Sequence, residues 1–138
     1  MIIEKDGKRC NCGKKGCFET YCSIKKLKEN LILALNLNKT TDAKELIQIL
    51  ESKKEEEKIQ KMINEYLENL LIGISNVIDI FEPEAICLGG SFVYFKNILY
   101  EPFITMYEQR KYVFNKEKLP EMKLGILRND AGMIGATI

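Results

Sequence analysis

Cys10-Asn11-Cys12-Gly13-Lys14-Lys15-Gly16-Cys17-Phe18-Glu19 packs three thiols and a carboxylate into ten residues. Thiolates this close suit one tetrahedral metal better than a disulfide pattern, because Gly13 and Gly16 are free to take positive φ and fold the loop back on itself. Zinc is the expected ion, with Cys10, Cys12 and Cys17 as ligands. The plainer reading of the same residues is a set of reduced thiols on a flexible loop. A fourth ligand is not evident, since the chain has no histidine and Cys22 stands five residues beyond Cys17 in a helical stretch.

Working outward, Ile2 to Arg9 has the look of a short β-hairpin with Asp6-Gly7 as its turn. Apolar residues at Ile24, Leu27, Leu31 and Leu35 predict one helix from Tyr21 to about Leu35, carrying Glu19 in its first turn. Asp42 and Glu45, at capping-box spacing, open a second helix. The charged run Lys53 to Lys58 opens the longest one, whose apolar stripe from Ile59 to Phe81 keeps steps of three and four until Pro83 stops it. Its apolar later turns are expected to be buried.

Beyond Pro83, Ala85 to Leu88 predicts a short strand that ends in Gly89-Gly90-Ser91 and is followed by a helix from about Phe95 to Arg110. Pro102 is expected to kink or divide that helix. Lys123 to Leu127 reads as a further strand, and Asp130 as the cap of a terminal helix. Glycines at a strand end let a backbone approach a ligand, and free N–H groups at a helix start favour phosphate. By itself the same turn is equally a tight βα connection without a ligand. Cys22 and Cys87 read as small buried apolar side chains.

Composition agrees with an ordinary domain. The length of 138 residues fits one domain spanning 1–138, and a hydrophobic fraction of 46% is that of a globular chain. Twenty-one basic against twenty acidic residues leave a net charge of +1, which gives no electrostatic argument for nucleic acid or membrane as partner. No stretch reaches the roughly 18 apolar residues of a membrane span. Five cysteines in a chain with no visible secretion signal fit a reducing, cytoplasmic setting.

The loop resembles the zinc loop of the ROK family of bacterial sugar kinases and sugar-responsive repressors, whose pattern C-x-C-G-x-x-G-C-x-E is matched at every fixed position from Cys10 to Glu19. Ile86-Cys87-Leu88-Gly89-Gly90-Ser91 is similar to the strand and turn that meet the nucleotide in that family. Asn129-Asp130-Ala131-Gly132-Met133-Ile134-Gly135-Ala136 is similar to the start of its C-terminal helix. The resemblance implies an α/β fold, the C-terminal domain of the actin-like ATPase (ribonuclease H-like) fold, incomplete, with a zinc loop and a long buried helix.

It also implies roles. The family's histidine that completes the zinc site would fall just before Met1, so an open position and weaker zinc affinity are expected. Three thiolates leave zinc too electron-rich to activate water well, so the metal would be structural and would fix the loop that presents Glu19. Glu19 would accept hydrogen bonds from sugar hydroxyls, although an acidic residue in a helix's first turn is already explained by the helix dipole. Gly89, Gly90 and Ser91 would line the nucleotide, ATP with magnesium. The family's phosphate loop and catalytic aspartate have no match here, so no catalytic residue is assigned.

The expected function is therefore the C-terminal half of an ATP-dependent hexose kinase, and the alternative is the inducer-binding half of a ROK repressor. A homo-oligomer is expected in either case. An independent zinc-binding interaction module is the plainest reading left.

Overall fold

Ser23 breaks what the apolar spacing predicts as a single helix. Its backbone is extended, with φ −72° and ψ 137°, and its side chain accepts the Lys26 N–H at 3.3 Å, the bond of an N-cap. Two helices result, α1 over Phe18–Cys22 and α2 over Ile24–Ala34. The computed structural model describes residues 1–110, 119–126 and 130. The chain divides at Asn76 and Val77 into two compact units.

In the first unit, Asp42 caps α3 (Ala43–Ser52) by accepting the Glu45 N–H at 2.8 Å. Only the last two residues of the charged run after it, Glu57 and Lys58, open the next helix. Lys53 and Glu56 pair with each other in the connection, and α4 begins at Glu57 and runs to Phe81. Leu27 and Leu31 of α2, Leu46 and Leu50 of α3, and Ile59, Ile63 and Leu67 of α4 form the buried core. Tyr66 joins them and donates its hydroxyl to the Cys22 carbonyl at 3.0 Å, so a buried phenol keeps a partner. Burial holds the Tyr66 hydroxyl above its usual range and pushes the Cys22 thiol up to about 12.

The second unit is a strand, a helix and a parallel strand. β1 (Ala85–Leu88) pairs in register with β2 (Glu121–Leu124), from Ala85 opposite Glu121 to Leu88 opposite Leu124. A 3-10 segment, Gly90–Phe95, leads into α5 over Lys96–Gln109. Phe92 and Phe95 of the 3-10 segment and Leu99, Phe103 and Tyr107 of α5 are buried. Tyr107 donates to the Pro120 carbonyl at 2.7 Å and Tyr100 to that of Met122 at 3.2 Å, which ties the helix to β2.

Several expectations are corrected here. Pro102 does not divide α5, since it is exposed and water can meet the carbonyl that loses its donor. β2 begins two residues before Lys123 because Glu121 and Met122 already pair with β1. The later turns of α4 are buried as expected at Leu70, Leu71, Ile74 and Ile78, but its last two residues are not: Ile80 is 70% and Phe81 73% exposed. Cys87 is exposed and Cys22 half-buried, so only the latter approaches the buried character expected of both. Leu127 and the terminal helix expected after Asp130 lie outside the described residues. No helix among the described residues is long and apolar enough to cross a membrane.

Candidate metal centre

The predicted hairpin over Ile2 to Arg9 does not form, because the metal loop's own backbone lies between the two arms. Ile2 pairs with Cys17 and Arg9 with Lys15 instead. Gly16 accepts the Ile3 N–H at 2.8 Å and donates to the Lys8 carbonyl at 2.9 Å, bonding one arm on each side. Only glycine fits there: its φ is 71°, and a Cβ would overlap the Glu4 carbonyl oxygen. Gly13, with φ 86°, turns the loop tip, and its N–H donates to the Cys10 carbonyl at 3.0 Å. The Cys10 N–H in turn donates to the Lys14 carbonyl at 2.8 Å.

This folding brings all three predicted ligands together. The sulfur atoms of Cys10, Cys12 and Cys17 lie within 4.8 Å of one another, and those of Cys12 and Cys17 are 3.5 Å apart. Zinc–sulfur bonds of about 2.3 Å in a tetrahedron place sulfurs about 3.8 Å apart, so the donor set fits such an ion without rebuilding the loop. Cys12 is exposed, Cys10 half-buried and Cys17 buried.

The thiols also polarise one another. A hydrogen bond from the Cys12 N–H, then one from the Thr20 hydroxyl, lowers Cys10 from 9.0 to about 7. Cys17 moves the other way, to about 11, chiefly through its hydrogen bond with Cys12 and then through desolvation. One thiolate is thus ready near neutral pH, and the cluster resists gathering further negative charge until a cation arrives.

Glu19 follows Cys17 by two residues in the first turn of α1, and its carboxylate is exposed. It does not line the adjacent polar cleft of the first unit, whose walls include Lys8, Thr20, Tyr21, Asn30, Glu65 and Asn69. Tyr21 and Thr20 are the residues that sequence reasoning missed. The Tyr21 hydroxyl accepts the Lys8 N–H at 2.7 Å and its ring sits 5.3 Å from the Lys8 ammonium, anchoring the arm that enters the loop. A phenol that accepts from a backbone thirteen residues away leaves no signal in local spacing.

Gly89, Gly90 and Ser91 stand in the second unit, at the end of β1. Gly90 has φ 60°, and a Cβ at Gly89 would meet nothing within 4 Å, which leaves the backbone of this turn open to approach. Ser91 is exposed.

A model of the ROK family matches residues 1–138, the whole chain. An N-acetyl-D-glucosamine kinase of Histophilus somni is 32% identical over 127 residues, which cover 92% of this chain and 39% of that protein. A xylose repressor of Caldicellulosiruptor bescii is 27% identical over 139 residues, 91% of this chain and 34% of that protein. The solved structure of a ROK family glucokinase from Streptomyces griseus, in complex with glucose and AMPPNP, superimposes with a TM-score of 0.68 at 19% identity. That match covers 99% of this chain and 48% of the other, so the two share a fold. The chain thus spans about a third to a half of the length of these relatives.

Proposed function

The chain belongs to the ROK family, and on that premise we propose that it is the C-terminal half of an ATP-dependent hexose kinase, a domain of the actin-like ATPase fold. The observation that carries this reading is the meeting of Cys10, Cys12 and Cys17 two residues before Glu19. In this reading the thiolates hold a structural zinc and keep α1 where its first turn offers the Glu19 carboxylate to sugar hydroxyls. A carboxylate accepts hydrogen bonds and donates none, so it discriminates among hydroxyl arrangements rather than moving the proton in the reaction. Gly89, Gly90 and Ser91 meet the nucleotide, which magnesium accompanies in the complete enzyme. This reading assigns the phosphate loop and the base that deprotonates the sugar to an N-terminal half.

Phosphoryl transfer depends on positioning and charge stabilisation more than on covalent chemistry, so a half that orients sugar and nucleotide contributes directly to catalysis. A soluble homo-oligomer acting in the cytoplasm, with no nucleic acid bound by this chain, completes the proposal. The xylose repressor's likeness over 91% of the chain favours a second reading, an inducer-binding half of a regulator.

The test joins the chain behind the N-terminal half of the Histophilus somni kinase and follows ATP-dependent phosphorylation of glucose and N-acetylglucosamine. The kinase reading expects turnover, with Glu19→Gln raising KM for sugar at least tenfold. A folded fusion that binds sugar and leaves ATP intact would favour the regulator.

A further inference from the structure

Cys12 and Cys17 differ in their exposure to a dissolved oxidant. Cys12 is exposed at the loop tip, whereas Cys17 is 8% exposed, and their sulfurs are 3.5 Å apart. Peroxide reaches the first and not the second. We propose that Cys12 is a site of oxidative modification by peroxide, with Cys17 as the thiol that resolves it into a disulfide.

The step balances with hydrogen peroxide as oxidant. The Cys12 sulfur attacks one peroxide oxygen, the O–O bond breaks, and the products are a sulfenic acid at Cys12 and one water. The Cys17 sulfur then attacks the Cys12 sulfur, the S–O bond breaks, and the departing hydroxide takes the Cys17 proton as a second water. Two thiols are oxidised by two electrons and one peroxide is reduced.

The loop permits the closure. The sulfurs must approach by about 1.5 Å to reach the roughly 2.05 Å of an S–S bond. Between the two cysteines stands Gly13, at positive φ with open space around the position of a Cβ. Gly16 is held on both sides by backbone hydrogen bonds, so Cys17 stays in place while the tip moves. The disulfide consumes two of the three metal-binding thiols, and oxidation would therefore expel a bound cation. On the reading of the loop as the support of Glu19, this couples sugar binding to peroxide, but the chemistry at Cys12 stands without that reading.

The experiment treats the metal-free chain with one equivalent of hydrogen peroxide and maps it by mass spectrometry after trypsin. Cleavage after Arg9, Lys14 and Lys25 separates the peptide carrying Cys10 and Cys12 from the one carrying Cys17 and Cys22. The proposal expects loss of two hydrogens, and a cross-linked pair of peptides whose fragmentation places the bridge at Cys12 and Cys17. Cys10→Ser should retain the bridge and Cys12→Ser should abolish it. A bridge through Cys10 or Cys22, or sulfinic acid at Cys12 with no bridge, overturns the proposal. In a second arm, the zinc-loaded chain should release its metal to a chromogenic chelator at least tenfold faster with peroxide than without, and equal rates would overturn the coupling. Neither arm involves sugar, so failure here leaves the kinase reading to its own assay.

Discussion

The ring of Phe18 lies over Gly73 of α4, so that a methyl group at Gly73 would overlap it. The residue next to Cys17 is thereby seated on the longest helix, and the metal loop has a fixed floor. Alanine raises helix stability by about 1 kcal/mol over glycine, but overpacking of this kind costs about 1–3 kcal/mol. The overlap wins. Gly73→Ala should therefore destabilise the chain in urea, and the same change made in a Phe18→Ala background should stabilise it. A Gly73→Ala effect of the same sign and size in both backgrounds would mean that the ring does not rest there.

Gly13 and Gly16 both take positive φ, yet they should respond differently to alanine. At Gly13 there is open space, and the cost is the backbone strain of about 1–2 kcal/mol alone. At Gly16 the added carbon also meets the Glu4 carbonyl oxygen. Gly16→Ala should lose the loop's metal binding, while Gly13→Ala should keep it at reduced stability. Equal metal affinities measured by competition with a chelator would contradict this.

The metal loop was legible in the sequence because ligand spacing and turn glycines are local properties. The arms flanking it were not, since an Asp-Gly pair signals a turn whether or not a third segment passes between the strands. The break at Ser23 was hidden for a related reason: the apolar stripe continues across it, and only the cap geometry ends α1. β2 was read two residues late because the exposed Glu121 conceals a position whose place in the sheet is set by its partner Ala85. The exposed end of α4 had the opposite fault, apolar residues without the burial that their type suggests.

Alkali should weaken the fold through Cys22 and Tyr66. Tyr66 is buried and Cys22 half-buried, and both hold their protons more tightly than in the unfolded chain, Cys22 from 9.0 up to about 12. A raised folded value means that the unfolded state loses its proton first. The stability is complete below about pH 9 and declines as pH climbs toward 12. Urea midpoints taken between neutral pH and about pH 11 should fall, and Cys22→Ala should flatten that fall. An unchanged slope in the variant would remove Cys22 from the explanation.

In the metal-free chain Cys10 should react with iodoacetamide at a rate that rises with a midpoint near pH 7. Cys22 should stay unmodified over the same range. Peptide mapping after brief labelling reads both, and preferential labelling of Cys22 would contradict the hydrogen bonding described for the loop.

The central claim, that Cys10, Cys12 and Cys17 form one metal site, is tested most directly by native mass spectrometry of the zinc-supplied chain beside its Cys12→Ser variant. The account predicts one zinc per chain in the former and a marked loss in the latter. A zinc-free parent chain, or equal metal content in the two, would contradict it.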